Sequence, residues 1–182
     1  MKRIVLAVLA GMLMAGCAGL RTNSEGTLPN GSRAVNEPAL EHPVDPNCVF
    51  CKIVAGERPA MKVFEDDVVL AFLDINPLMA GHTLVVPKAH YATVMEAPPE
   101  ALAAIGSRIP AITRAVLAAT DTQACHILTN NGPEAMQSVF HLHFHILPRK
   151  AGDTFRIPWN AGKLDKDAAA TLAENIKAKA DK

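Results

Sequence analysis

The sequence lacks several features that mark common functional classes. Its 18 basic and 18 acidic residues balance, so no excess charge favours nucleic acid or an anionic membrane as a partner. The uncharged apolar run from Ile4 to Gly16 is too short to span a bilayer as a helix. From residue 47 onward there is no internal repeat and no low-complexity tract, so a repeat architecture is not expected. The length and these absences predict one globular domain with appendages.

The N-terminal segment has the layout of an export signal. Two basic residues precede the apolar run, which ends in small residues followed by Cys17. We interpret residues 1–16 as a signal peptide that resembles a bacterial lipoprotein signal, with Cys17 as the acylated first residue of the mature chain. Met14 stands where such sites usually have leucine, and ordinary signal cleavage near Ala15–Ala18 is the alternative.

The segment that follows, residues 17–46, is rich in Gly, Pro, Asn, Ser and Glu and shows no sustained apolar period. This composition predicts a flexible tether with a coil span of roughly 30 Å. An anchor of two or more acyl chains on Cys17 is expected, because a single chain binds only marginally. These features predict an exported protein held on a membrane and facing the periplasm or the exterior.

The chain from Cys48 onward predicts an α+β domain over residues 47–150, with an antiparallel sheet of about five strands and a central helix packed across it. Strands are expected at 62–65, 68–73, 81–87, 124–129 and 138–147, and helices at 48–56 and 98–119. Pro110 makes the long helix either one kinked helix or two. Residues 151–182 form a C-terminal extension, in which Leu164, Ala168, Leu172 and Ile176 predict a small amphipathic helix.

Three histidines, His141, His143 and His145, alternate with hydrophobic residues in the last predicted strand. Side chains alternate across a strand, so the three imidazoles are expected on one face. Neutral imidazole is a nucleophile toward phosphorus, and imidazole N–H groups bind anions. No carboxylate cluster accompanies the histidines, which argues against a metal-dependent phosphatase. Chance, or a role in metal binding alone, is the alternative interpretation of this row.

This run resembles the signature of the histidine-triad (HIT) family of nucleotide hydrolases and transferases. Similar residues continue through 64–67, 71–75, 81–88 and 137–140. The resemblance implies a compact α+β domain, a homodimer, and a purine nucleotide substrate. It also implies cleavage at the α-phosphate through a covalent nucleotidyl-histidine intermediate, without a cofactor for catalysis. No nucleic acid partner is expected.

The resemblance also implies roles for individual residues. His143 would be the nucleophile, His145 would contact the phosphate and leaving group, His141 would orient the row, and His82 would be a further active-site histidine. The implied nucleotide-binding residues are Phe50, Ile53, Phe72, Asp74, Ile75, Asn130, Gln137 and Ser138. The alternative is that the hydrophobic members are plain core and that Asp74 and Asn130 only stabilise turns.

Met136 departs from the family pattern, because relatives commonly have glycine before the Gln-Ser pair. Glycine permits positive φ and close backbone approach to phosphate, and methionine restricts both. The leaving-group class stays open, since residues 64–88 resemble the phosphoramidate-hydrolysing branch and residues 132–135 and 147–153 resemble the dinucleoside-polyphosphate branch. A nucleotide- or zinc-binding module with vestigial catalysis is the alternative function.

Cys48 and Cys51 form a Cys-x-x-Cys pair, and in some relatives such a pair joins two histidines in a structural zinc site. Here the resemblance implies His90 and His141 as the remaining ligands, and two cysteines with two histidines suit tetrahedral zinc. A disulfide is the rival interpretation in an exported protein, and free thiols are the third. Cys125 is predicted to be a small buried hydrophobe, and His42 and His126 receive no role.

Overall fold

The structure, a computed structural model, describes residues 43–158 and 160–180. The elements in chain order are α1 (Val49–Val54), β1 (Lys62–Glu65), β2 (Val69–Leu73), β3 (Thr83–Pro87), α2 (Pro99–Thr120), β4 (Ala124–Leu128), β5 (Phe144–Arg149) and α3 (Lys166–Ala180). The predicted signal peptide, Cys17 and the tether as far as residue 42 lie outside the described residues. The domain limits at 46/47 and 150/151 stay predictions.

The five strands form one sheet in the order β1-β2-β3-β5-β4, with every neighbouring pair antiparallel. The predicted α+β class and strand number are therefore confirmed. The sequence of β3 is almost continuously apolar, as expected for a strand with both faces buried. One face, with Val85 and Ile146, packs under α2, and the other, with Phe72 and Leu84, packs under α1. The sheet thus separates two apolar clusters.

Helix α2 is continuous from Pro99 to Thr120, so Pro110 does not divide it. Pro99 occupies the first turn, where its missing N–H costs nothing, and Asp121 ends the helix in the left-handed conformation. By length and composition alone α2 could cross a membrane. In this fold it contacts β2, β3 and β5, and Ile105 and Ile112 are buried against the sheet.

The predicted histidine strand over 138–147 is wrong in its extent, because β5 begins at Phe144. Upstream of it the backbone bonds locally: the N–H of His141 donates to Val139 O (2.9 Å) and that of Leu142 donates to Tyr91 O (2.6 Å). Of the three histidines only His145 lies in a strand. The alternation nevertheless holds, since Leu142 joins the α2 cluster while His141 and His143 face Phe50.

The C-terminal helix is present as α3, but it begins after Leu164. None of its residues is buried against the described part of the chain, and Leu172 and Ile176 are exposed. Its periodicity predicted a helix correctly and carried no information on what the apolar stripe contacts.

Candidate active site

His143 is held in one tautomer by the backbone. Its Nδ1 lies 2.6 Å from the carbonyl oxygen of His141. A carbonyl oxygen can only accept, so Nδ1 carries the proton and Nε2 carries the lone pair. Burial lowers the pKa of His143, although the carbonyl bond opposes this shift. The side chain is therefore a neutral imidazole at pH 7, with Nε2 available as a nucleophile.

A chain of hydrogen bonds fixes the protons on His82 and His145. The N–H of Leu78 donates to Nδ1 of His82 at 3.2 Å, which leaves the His82 proton on Nε2. That nitrogen lies 2.8 Å from Nδ1 of His145 and donates to it, so the His145 proton is on Nε2. Nε2 of His145 is buried and has no hydrogen-bond partner among the described residues. An unsatisfied buried donor is costly, and a bound ligand atom would satisfy this one.

The electrostatics of this group favour neutral imidazoles. Burial lowers the pKa of His145 to about 4, and the nearby histidines His143 and His82 lower it further. Burial also lowers the pKa of His82, against the opposing effect of the Asp74 carboxylate. Asp74 Oδ2 lies 3.6 Å from Nδ1 of His82, too far for a hydrogen bond. The carboxylate is therefore an electrostatic neighbour, and the Leu78 amide sets the tautomer.

Three of the predicted nucleotide-binding residues, Phe50, Ile53 and Phe72, lie on the histidine face of the sheet, between α1 and β2. Phe50 is buried and packs edge to face on Phe72 (centroids 5.5 Å) and on His143 (5.3 Å). Ile53 is buried beside them, while Ile75 is 83% exposed. Phe50, Ile53 and Phe72 are thus buried in the core beside the histidines, and their predicted contacts with the nucleotide, like that of Ile75, stay predictions.

Asp74 follows β2 and caps the next turn. Its Oδ1 accepts the N–H of Asn76 at 2.8 Å, and its own N–H donates to His82 O at 3.0 Å. The turn-forming interpretation of Asp74 therefore applies to Oδ1. Oδ2 lies beside the histidine chain, so the predicted contact of Asp74 with ribose stays a prediction.

The loop before the histidines is closed by Gln137. Its Oε1 accepts the N–H of Gly132 at 2.8 Å, and its Nε2 donates to Ala92 O at 2.6 Å and Val139 O at 3.1 Å. The buried amide thus positions the loop, and the predicted phosphate contact of Gln137 stays a prediction. Ser138, the next residue, is exposed.

Two further loop residues bear on phosphate binding. Asn130 Nδ2 donates weakly to Met136 O at 3.5 Å, so its predicted contact with phosphate also stays a prediction. Met136 adopts φ 64° and ψ 28° after the short 3-10 turn Pro133–Ala135, with its side chain 80% exposed. This is the left-handed conformation that glycine adopts without strain, so methionine is strained at this position.

Cys48, Cys51, His90 and His141 converge, with one ligand atom from each within 4.8 Å of the others, and could hold a metal ion. Sγ of Cys48 lies 3.4 Å from Nδ1 of His141, and Sγ of Cys51 lies 3.3 Å from Nδ1 of His90. Tetrahedral zinc with ordinary bond lengths separates S and N ligands by about 3.6 Å. The two cysteines are not joined in a disulfide. The donor set and its spacing fit the metal-binding interpretation.

A backbone carbonyl orients His141 for this group. Nε2 of His141 donates to Pro87 O at 3.0 Å, which turns the Nδ1 lone pair toward the thiols. Such an outer hydrogen bond is the usual partner of a metal-bound histidine. Burial lowers the pKa of His141 to about 4 and raises the pKa of the Cys51 thiol to about 11. The His141 side chain therefore groups with Cys48, Cys51 and His90, and its carbonyl oxygen contacts His143.

Sequence reasoning missed the groups that set these tautomers, namely the Leu78 N–H and the carbonyl oxygens of Pro87 and His141. Backbone groups carry no residue signature, so no pattern in the sequence could have identified them. Cys125 was predicted to be buried and is only partly so.

A cavity of about 400 Å³ lies on the α2 side of the sheet, between α2 and β1. It is lined by apolar residues such as Val63, Leu73 and Ala115. The cavity is apolar and lies on the opposite face of the sheet from the histidines.

Comparison with known proteins agrees with this geometry. Residues 55–152 match the HIT domain family. Adenylylsulfatase HINT3 of Arabidopsis thaliana is 41% identical over 158 residues, which cover 85% of this chain and 78% of that protein. Adenosine 5'-monophosphoramidase hnt1 of Schizosaccharomyces pombe is 37% identical, covering 73% of this chain and 98% of that protein.

Solved structures show the same fold. A crystal structure from Streptococcus mutans UA159 has a TM-score of 0.73 and 38% identity, covering 88% of this chain and 98% of its own. A zinc-bound histidine triad family protein from Mycobacterium smegmatis has a TM-score of 0.58 and 36% identity, covering 74% and 96%. The match of more than half of the chain to one family model, on a shared fold, shows that this chain belongs to the HIT family.

Proposed function

We propose that this protein is a hydrolase or nucleotidyl transferase that cleaves purine nucleotides at the α-phosphate through a nucleotidyl-His143 intermediate. The observation that carries the proposal is the pair of opposed imidazole nitrogens. His143 presents a lone pair on Nε2, and its neighbour His145 presents an unpartnered N–H on Nε2. Relatives named adenylylsulfatase and adenosine 5'-monophosphoramidase support cleavage of the bond between the α-phosphate and its leaving group.

The reaction follows from these two groups. Nε2 of His143 attacks the α-phosphorus, the bond to the leaving group breaks, and its electron pair departs with the leaving atom. The Nε2–H of His145 donates a hydrogen bond to that atom and stabilises the charge that develops there. A water molecule then attacks the phosphorus and gives up one proton to solvent, the electron pair of the N–P bond returns to His143, and the nucleoside monophosphate is released. An amine leaving group takes up one proton from solvent as it departs, whereas sulfate or phosphate departs as an anion.

The nucleoside is placed by the elements beside the histidines. Phe50 and Ile53 of α1 pack with Phe72 of β2, and the exposed Ile75 follows β2, so we assign the purine to that side. Asp74 is the carboxylate that would accept hydrogen bonds from ribose hydroxyls. Ser138 and Asn130 border the loop before the histidines and would hold the phosphate oxygens.

Cys48, Cys51, His90 and His141 are proposed to hold a structural zinc ion. Zinc would crosslink α1 to the segments after β3 and before β5, and so fix the position of the His141 carbonyl that orients His143. Four protein ligands leave no open position for substrate. The catalytic step therefore uses only this chain's own side chains.

The cellular setting is proposed from the sequence. Lipidation of Cys17 after removal of residues 1–16 would hold the enzyme on the outer side of a bacterial membrane, with residues 17–46 as the tether. Membrane partitioning that disappears on Cys17→Ala is the expected result. A wild-type protein that is wholly soluble after expression in bacteria would refute lipidation.

A homodimer is proposed because β4 lies at the edge of the sheet with Ile127 exposed. Unpaired strand edges with apolar side chains favour pairing with a second chain. Light scattering of the soluble domain should give twice the mass of one chain, and Ile127→Lys should lower it. A monomeric wild-type domain would refute the dimer.

The test of activity is a substrate panel. Residues 43–182 are incubated with adenosine phosphoramidate, adenylyl sulfate and a diadenosine polyphosphate, and release of adenosine monophosphate is measured. We expect turnover of at least one substrate and its loss in His143→Ala, with the fold retained by circular dichroism. Nucleotide binding without turnover would refute the hydrolase and favour a binding module with vestigial catalysis.

A further inference from the structure

This inference rests on the proposed function. If His143 is the nucleophile and His145 binds the leaving group, the order of the two histidines along the chain sets the direction in which the leaving group departs. In an in-line displacement the attacking atom, the phosphorus and the leaving atom lie roughly on one line. His143 supplies the attacking atom, and His145, two residues further along the chain, binds the leaving atom. The leaving group therefore extends away from His143, past His145 and toward the Leu147 end of β5.

The surface at that end is provided by β4. Leu128 pairs with His145, and His126 pairs with Leu147. Paired residues in an antiparallel ladder share a face, so His126 lies on the histidine face. Diagonal neighbours in such a ladder are about 7–8 Å apart, within reach of an aromatic side chain. Leu147 itself is buried, so the polar side chains of the paired strands on this part of the face beyond His145 are His126 and Arg149.

The chain after β5 folds back beside His126. The ring of Phe155 lies 6.4 Å from that of His126 and 4.9 Å from the guanidinium of Arg149. Arg149 pairs with Asp153 and donates to Phe155 O at 2.7 Å, which holds the segment in place. Arg156 also bonds to Asp153. Two guanidinium groups against one carboxylate leave the local charge at plus one.

Among the described residues, the His126 imidazole has Phe155 as its ring neighbour and forms no hydrogen bond. Its N–H is therefore available to an incoming oxyanion. The net positive charge beside it favours a leaving group that is itself anionic. A sulfate or phosphate one bond beyond the leaving atom would lie on this side of His145, whereas an amine as small as ammonia would not reach it.

We propose that His126 is a specificity-determining residue, which donates a hydrogen bond to the anionic leaving group of an adenylyl substrate on the β4 side of His145. Phe155 and Arg149 position its ring. His126 thereby distinguishes sulfate and phosphate leaving groups from small neutral ones.

The test compares two substrates in each variant. His126→Leu removes the N–H and keeps the approximate volume, His126→Gln retains a donor, and Cys125→Ala is the control on the opposite face of β4. We expect His126→Leu to lower kcat/KM for adenylyl sulfate about tenfold and to leave adenosine phosphoramidate within about twofold. His126→Gln should retain most of the activity on adenylyl sulfate, and Cys125→Ala should match the wild type.

The outcomes separate this inference from the proposed function. If the wild type hydrolyses both substrates and His126→Leu lowers both equally or neither, the leaving-group role of His126 is overturned while the hydrolase stands. A donor role for His126 is also overturned if His126→Gln loses as much adenylyl sulfate turnover as His126→Leu while phosphoramidate turnover stays intact. A wild type that hydrolyses neither substrate overturns the proposed function and this inference together.

Discussion

Replacing Met136 with glycine is expected to stabilise the domain. Met136 has φ 64° and ψ 28°, a conformation that costs an L-residue with a Cβ about 1–2 kcal/mol. Glycine avoids that cost and loses about 0.5–1 kcal/mol more in backbone entropy on folding. The side chain is 80% exposed, so little packing is lost. The free energy of unfolding should therefore rise by about 0.5–1 kcal/mol, which shifts the midpoint upward by about 3–5 °C.

Thermal and urea unfolding of residues 43–182 measure this effect. Met136→Ala is the matched control, because alanine removes the exposed side chain and keeps the Cβ that the positive φ penalises. Asp121→Gly is a second comparison at φ 50°, where aspartate tolerates the left-handed region better and a smaller gain is expected. Backbone strain at Met136 is excluded as the cause if Met136→Ala stabilises the domain as much as Met136→Gly, or if Met136→Gly does not stabilise it.

Two further predictions concern metal removal and pH. One zinc ion per chain is expected by elemental analysis. Chelation of the metal or Cys51→Ser should lower the thermal unfolding midpoint, whereas the control Cys125→Ser should retain the metal. A metal-free wild type with the same unfolding midpoint would contradict the site. Burial lowers the pKa of His145 to about 4, below its value of about 6.5 in the unfolded chain. The unfolded state thus binds more protons between these values, and stability should fall as the pH falls from 6.5 toward 4. His145→Gln should weaken this dependence, and identical pH profiles for the two proteins would exclude the contribution of His145.

The sequence predicts the fold well where side-chain periodicity controls the structure. The five strands, the long helix α2 and the separation of Leu142 from its neighbouring histidines follow from apolar alternation. Periodicity does not reveal which backbone groups are paired, so the strand over 138–147 was predicted too long. Its first half bonds to Tyr91 and to itself instead, which frees the His141 carbonyl to orient His143.

The candidate site is predicted in residue type and only partly in geometry. The four predicted metal ligands converge as expected, and His82 bonds to His145. The Gln137 side chain points inward and closes its loop, because its amide forms hydrogen bonds with three backbone groups. His126 received no role because its neighbour Phe155 is distant in sequence and joins it only through the pairing of β4 with β5. Contacts of this kind depend on tertiary structure and leave no local pattern.

The covalent step is tested most directly by trapping the intermediate. The domain is mixed with adenylyl sulfate or adenosine phosphoramidate, quenched under conditions that preserve phosphoramidate bonds, digested and examined by tandem mass spectrometry. We expect one nucleotidyl group on His143, absent from His143→Ala and present in His126→Leu with the phosphoramidate. Turnover with no adduct on any histidine, or an adduct on His145 or His82 in place of His143, would contradict this expectation.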